Sequence, residues 1–316
     1  MTTATRSTPI TANRFLADVL AGLSRPQKQL PPKYFYDAEG SRLFDRITEL
    51  DEYYPTRTEL GIMRQHAGAM AEKCGRGCLL IELGAGSLVK VRLLLERLDC
   101  PAGYVPVDVS GDHLRAAARE LVRDHPDLTV RPVCTDFTRD FPLPSLPAAR
   151  RVVYFPGSTI GNFDPPDADA LLLRIARLVG PGGGLLLGVD LRKDRRVLEA
   201  AYNDRLGVTA AFNRNLLARI NRELGADFDL SAFRHRAFYN SSQSRIEMHL
   251  VSLANQWVRI GGAVFLFEEG ETIHTENSYK YDLAELSRRT ARCGLQVDAT
   301  WTDERSYFAV LFLTAQ

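Results

Sequence analysis

From residue 78 onward the chain alternates short apolar runs with segments whose apolar residues recur every three or four positions. CLLIELGAG, GYVPVDV, LTVRPVCTDF, RRVVYFPGS and PGGGLLLGVD read as strands buried on both faces, because apolar side chains follow one another without alternation. Between them, VKVRLLLERL, GDHLRAAARELVRDH and DPPDADALLLRIARLVG each carry one apolar stripe and read as amphipathic helices. Fully buried strands alternating with helices predict a parallel sheet covered on both sides, with right-handed crossovers. The expected fold class of this region is α/β.

The texture differs on either side. The first 55 residues are rich in aromatics and read as helix and loop, with a hydroxyl-rich tail and then a first helix at the N-terminus. Pro55 followed by Thr56-Arg-Thr-Glu59 predicts a capping box, Thr56 accepting from the third backbone N–H and Glu59 reaching back, at the head of a helix over 57–73. From about residue 193, RRVLEAAYND and TAAFNRNLLARINREL predict helices. RHRAFYN, SRIEMHLVSLANQWVRI and AVFLFEEGETIHTENS then predict antiparallel strands. DLAELSRRTARCG restores a helix before two last strands, LQVDATWTD and YFAVLFLTA. The pattern predicts a split chain: 56–192 plus 280–316 form the α/β domain, and 1–55 plus 193–279 form a second, smaller α+β domain.

Bulk properties exclude several function classes. A net charge of +1 over 316 residues gives no electrostatic case for nucleic acid or an anionic membrane surface. No apolar run approaches the roughly 20 residues of a membrane span, and the N-terminus lacks a secretory core and cleavage site. Five cysteines include Cys74 and Cys78 around GRG, but no second pair or His cluster follows them in the sequence, which disfavours a zinc site there. Reduced thiols in the cytoplasm are the expectation, with a small molecule as partner.

Candidate chemistry lies at the strand ends. LLIELGAGS is a strand ending in Glu82 and a glycine turn at Gly84 and Gly86. A dinucleotide fingerprint would place a third glycine where Val89 stands, which weakens a nicotinamide oxidoreductase reading. Asp108 ends the second strand, where a carboxylate can hold two ribose hydroxyls. Asp136-Phe137 ends the third, offering an acceptor for an adenine amine and a ring beside the base. This set resembles class I S-adenosylmethionine-dependent methyltransferases, and implies a Rossmann-like class I methyltransferase sheet with a substrate-binding second domain. Lys90 opens a helix against the dipole, a position that a ligand carboxylate would favour.

Six motifs, KYFYDAEGS, EYYPTR, FPGSTIGNF, AYNDRLGVTAAFNRN, RIEMHLVS and HTENSYKY, occur in that order. Together they resemble the histidine Nα-methyltransferases of ergothioneine biosynthesis, which convert L-histidine to hercynine. The resemblance implies cofactor contacts at Gly84, Lys90, Asp108, Asp136 and Phe137. It implies an amino-acid pocket lined by Tyr36 and Tyr53, with Asn162 and Tyr202 on the α-amino and carboxylate end and Met248 beside the ring. Glu276 and Ser278 would hold the imidazole; Asn277, between them and counted with the substrate set, should face away on an alternating strand. The family also implies a monomer.

Physical chemistry supports the ring-binding pair separately. Residues two apart on a strand share a face about 7 Å apart, and neutral imidazole presents one N–H and one lone pair on opposite nitrogens. A carboxylate accepts and a hydroxyl can donate, so Glu276 and Ser278 match that pattern. Indole offers one donor and no ring acceptor, which disfavours the nearest alternative, an N-methyltransferase for a tryptophan derivative. A catalytically silent cofactor-binding protein is the remaining rival. Tyr36, to accept or relay the amine proton, and Asn162, to orient the lone pair, are the candidate catalytic residues; the chemistry requires no metal.

Overall fold

The computed structural model describes residues 12–86 and 88–316; the predicted N-terminal tail lies outside them. Along the chain, helices Ala12–Leu23 (α1), Ala38–Thr48 (α2) and Tyr54–Cys74 (α3) precede strand Cys78–Leu83 (β1) and helix Val89–Leu95 (α4). Gly103–Asp108 (β2), Gly111–Asp124 (α5), Val133–Cys134 (β3), Arg150–Phe155 (β4), Pro165–Val179 (α6) and Gly184–Asp190 (β5) continue the alternation. Helices Arg195–Tyr202 (α7) and Val208–Leu224 (α8) lead to strands Phe233–Asn240 (β6), Arg245–Ser252 (β7), Gln256–Ile260 (β8), Ala263–Phe267 (β9) and Thr272–Tyr279 (β10). Leu283–Arg292 (α9), Leu295–Thr302 (β11) and Phe308–Ala315 (β12) complete the chain. The described residues divide into two compact units, Pro55–Arg192 with Lys280–Gln316, and Ile10–Tyr54 (described from residue 12) with Lys193–Tyr279.

The first unit is built on a seven-stranded sheet in the order β11-β12-β5-β4-β1-β2-β3. β1 to β5 run parallel, and β12 enters antiparallel between β5 and β11. This is the class I methyltransferase arrangement. β1 and β5 are buried along their whole length, as expected of strands covered on both faces. The order reverses between β1 and β4, so the carboxyl ends of those two strands flank the crevice where open α/β sheets bind ligands.

Three local expectations are corrected. The helix predicted over 57–73 begins at Tyr54, with Pro55 in its first turn, where a missing N–H costs nothing. Thr56 and Glu59 therefore lie inside α3, and Glu59 is fully buried instead of capping. The third strand shrinks to Val133–Cys134 because Pro132 cannot donate to the ladder; pairing before it survives as Tyr104 N–H to Thr129 O (2.8 Å) and Arg131 N–H to Tyr104 O (2.9 Å). The two long runs after 244 each break into two strands. Turns around 253–255 and 268–271 send β8 and β9 into a separate two-stranded sheet.

A buried ion pair lies where β5 ends and residues 280–281 re-enter the first unit. Lys280 Nζ stands 2.8 Å from Asp190 Oδ2, with both side chains almost wholly buried. Tyr281 N–H donates to Asp190 O (2.9 Å) and Arg192 N–H to Tyr281 O (3.0 Å), a short parallel ladder around the pair.

The second unit packs α8 on α2 and on the three-stranded antiparallel sheet β10-β7-β6. A bulge between His274 and Glu276 resets the alternation of β10. Cross-strand partners share a face, so Glu276 (opposite Met248) and Ser278 (opposite Ile246) lie on one side. His274 (opposite His249) and Asn277 (opposite Glu247) lie on the other. The outer edge of β10 is covered by 28–30, through His274 N–H to Lys28 O (2.8 Å) and Leu30 N–H to His274 O (2.9 Å).

Removing one member of a buried pair strands the other's charge. Lys280→Met should therefore lower stability by about 3–5 kcal/mol, and Asp190→Asn in the same chain should restore part of it. Denaturant midpoints measure both; a Lys280→Met loss under about 1 kcal/mol would contradict the assigned burial.

Candidate active site

In the first unit the chemistry collects at the carboxyl ends of β1, β2 and β4 and just beyond β3. Gly84 follows β1 with φ of 74°, a left-handed conformation that glycine adopts without steric cost. Its N–H and that of Ala85 both donate to Val107 O, at 2.9 and 3.1 Å, which fastens the turn to the end of β2. Glu82, one residue before the strand's last position, is buried and accepts from the Tyr104 hydroxyl. Burial pushes its carboxyl up to about 8, outweighing Tyr104 and Lys90, which favour the ionised form.

Asp108 and Asp136 are both held by short local turns. Asp108 accepts from Ser110 N–H at 2.7 Å, and Asp136 from Thr138 N–H at 3.1 Å. The Phe137 ring meets Phe155 and Phe163 edge-on, with centroids at 5.7 and 6.4 Å. A methyl group added at Gly84 would touch Phe137 at 3.8 Å, and one at Gly86 would meet nothing within 4 Å. Two oriented carboxylates, an aromatic face and an open glycine turn fit the ribose, adenine and amino-acid parts of S-adenosylmethionine.

Lys90 has a protein partner that the sequence reading missed. The Glu59 carboxylate pairs with Lys90 Nζ, and its two oxygens each accept from Gly157 N–H at 3.0 Å. It therefore ties α3, α4 and the loop after β4 together. Gly188 makes room for it, since a Cβ there would stand 2.3 Å from Glu59 Oε1. A TxxE pattern before an apolar run mimics a cap, which hid this role. The same loop carries Ser158 at φ 56°, whose hydroxyl accepts from Asp190 N–H at 2.9 Å. It then enters the 3-10 turn Thr159–Asn162, which places the half-buried Asn162 in this unit.

In the second unit the predicted tyrosines belong to one line of ring contacts. Tyr36 meets Phe44 edge-on at 5.7 Å, Phe44 meets Tyr53 at 6.3 Å, and Tyr53 meets Tyr202 at 6.2 Å. Phe212 of α8 closes on Tyr36 and Phe44 at 5.8 and 6.0 Å. Phe44 and Phe212 were absent from the predicted set. Phe44 lies three residues beyond KYFYDAEGS, and Phe212 reads only as the apolar stripe of a helix. The Tyr202 hydroxyl donates to Ser278 Oγ at 2.8 Å, linking the ring line to β10.

Much of each motif supports these rings. Asp37, after Tyr36, caps α2 by accepting from Gly40 N–H and also accepts from Asn215 Nδ2, at 2.7 and 2.8 Å. Asp204 caps α8 through the N–H groups of Val208 and Thr209, both at 2.8 Å. Between α8 and β6, His235 bonds the Tyr202 carbonyl through Nε2 and Asn213 through Nδ1, both at 2.9 Å. Met248 is buried opposite Glu276 and shares its face with Ser278. Asn277 is not brought to that face. It alternates away, beside Glu247 in the register, and its inclusion in the substrate set is corrected.

A carboxyl whose folded value rises to about 8 from an ordinary 4.5 contributes stability that is full below about pH 4.5 and lost as pH rises through about 8. Glu82→Gln removes this titration. The variant should gain on the parent between about pH 4.5 and 8, read as a growing difference in melting temperature that levels off above; a constant difference would rule out the raised value.

Comparison with known proteins gives the family. The family described as "Histidine-specific methyltransferase, SAM-dependent" matches residues 15–315. A histidine N-alpha-methyltransferase of Mycobacterium tuberculosis is 44% identical over 299 residues, covering 93% of this chain and 92% of its own. Ergothioneine biosynthesis protein 1 of Neurospora crassa is 31% identical over 91% of this chain, which spans 34% of that longer protein. A 4-dimethylallyltryptophan N-methyltransferase of Aspergillus fumigatus is 27% identical, covering 90% and 88% of the two chains. Matched from Phe15 to Ala315, and sharing nearly its full length with the mycobacterial enzyme, the chain belongs to the histidine-specific, S-adenosylmethionine-dependent methyltransferase family.

Proposed function

We propose that this enzyme methylates the α-amino group of L-histidine with S-adenosylmethionine, three times over, to yield hercynine for ergothioneine biosynthesis. The observation that carries the reading is the shared face of Glu276, Ser278 and Met248, with Ser278 bonded to Tyr202. With Tyr202 donating to it, the Ser278 hydroxyl can pass its own proton to the bare nitrogen of an imidazole. Glu276 accepts from the opposite ring N–H, and Met248 supplies an apolar, polarizable wall.

The cofactor supplies an electrophilic methyl group on a sulfonium. Asp108, Asp136 and Phe137 would hold its adenosine, the open turn at Gly84 would admit its amino-acid part, and Lys90 would meet its carboxylate, with Glu59 setting the position of the ammonium. The protein's task is then to present a neutral amine. An α-amino group titrates near 8 in peptides, and a desolvating pocket lowers that value. Tyr36 takes or relays the departing proton, and Asn162 directs the lone pair. Asn162 and Tyr202 flank the α-amino and carboxylate end, Tyr53 lines the pocket, and the tyrosine faces accommodate a growing quaternary ammonium, worth about 0.5–2 kcal/mol. Alignment of amine, methyl and sulfur supplies several kcal/mol more.

The tryptophan-type alternative has a relative on its side, but an indole would leave the Glu276 and Ser278 pair half used. Incubation with S-adenosylmethionine and a panel of amino acids, read by product mass, separates the readings. Histidine should gain three methyl groups, whereas turnover of tryptophan derivatives alone, or of no amino acid, would overturn the proposal. Glu276→Ala should raise the histidine KM by a factor equivalent to about 1.5–3 kcal/mol, and an unchanged KM would remove Glu276 from the ring contact. Tyr36→Phe should lower kcat more than it raises KM; an unchanged turnover with a normal pH profile would remove Tyr36 from the chemistry.

A further inference from the structure

The sheet face turned away from Glu276 and Ser278 carries a second cluster that the methyl-transfer reading leaves unused. β7 presents Glu247 and His249 two residues apart on that face, and β10 sets His274 directly opposite His249. The two imidazoles stack with centroids 4.6 Å apart and planes 9° from parallel, so one ring must turn about its Cβ–Cγ bond to share an ion with the other. His249 Nε2 is 3.1 Å from Glu247 Oε2, and one donor atom from each of the three side chains lies within 4.8 Å of the others. The bulge before Glu276 is what turns His274 to this side.

We propose that Glu247, His249 and His274 form a binding site for a divalent transition ion of the zinc class, on the face of the sheet opposite Glu276 and Ser278. Two imidazoles and one carboxylate are a donor set that such ions favour. Each ligand's other polar atom already has an orienting partner, the pattern that surrounds metal sites. Arg245 and Asn240 hold Glu247 through Oε1, leaving Oε2 toward His249. Thr272 Oγ1 stands 3.3 Å from His249 Nδ1, the Glu276 carbonyl stands 3.1 Å from His274 Nε2, and Asn277 hydrogen-bonds the His274 side chain. Asn277, opposite Glu247 in the ladder, offers an amide oxygen as a further ligand on the same face.

The Arg245 charge beside Glu247 weakens attraction for a cation, and selects for ions that bind imidazole nitrogen strongly over calcium or magnesium. A bound ion would cross-link β7 to β10, the two strands that carry Met248, Glu276 and Ser278.

Untagged full-length protein, stripped with EDTA and dialysed, is titrated with cobalt(II), read by visible absorption, and with zinc(II), read by calorimetry. One ion per chain is expected, with His249→Ala and His274→Gln each weakening affinity at least about tenfold. In the parent protein, zinc should shield both histidines from diethylpyrocarbonate, as mapped by peptide mass, a readout that needs no folded variant and no methyltransferase activity. Absence of saturable binding would overturn the proposal. So would one-to-one binding unchanged in both variants, or full modification of His249 and His274 in the presence of zinc.

Discussion

One irregularity in β10 governs what the second unit can do. In an unbroken strand, His274, Glu276 and Ser278 would line one face, and the two histidines of the β7–β10 pair could not meet. The bulge inserts a residue and inverts the parity of everything before it. Glu276 and Ser278 thereby join Met248 on the face that packs toward α7 and α8, while His274 turns to His249 and Glu247. Eight consecutive residues thus serve two faces of different chemistry, an acid–alcohol pair on one and an imidazole–carboxylate group on the other.

The first unit has a comparable dependence on a buried charge. Glu59 sits in the interior, so its position is set by the groups it bonds, Lys90 and Gly157 N–H. Those groups belong to the helix after the glycine turn and to the loop that leads to Asn162. The carboxylate therefore orients elements on both sides of the point where the sheet reverses direction. Its neighbour Glu82 answers burial differently. It has a tyrosine hydroxyl in place of an ammonium and keeps its proton to higher pH. Of two glutamates on the interior of one unit, one has a cation in contact and the other a hydroxyl.

Patterns of burial were the most legible part of the chain. Strands such as β1 and β5 declare themselves because both faces are apolar, and α6 and α9 because a single stripe recurs at helical spacing. The strand-end acids Asp108 and Asp136 were legible for the same reason, since a carboxylate at the end of an apolar run has few structural uses. What escaped was tertiary. TRTE has the letters of a cap, and only the packing of α3 under Gly188 turns Glu59 inward. HTENS has the letters of a regular strand, and nothing local to it announces a bulge. Phe44 and Phe212 looked like ordinary core because their value lies in which rings they touch. Asn277, by contrast, was legible: alternation was expected to carry it to the other side, and it does.

The covering of β10 by 28–30 has a consequence for how the molecule stays dispersed. A strand edge with open N–H and C=O groups is a template on which other chains add. Here the edge in question carries Glu276 and Ser278, and its shield comes from a segment more than two hundred positions earlier in the chain. During synthesis that segment emerges first, so the edge is never made before its cover exists.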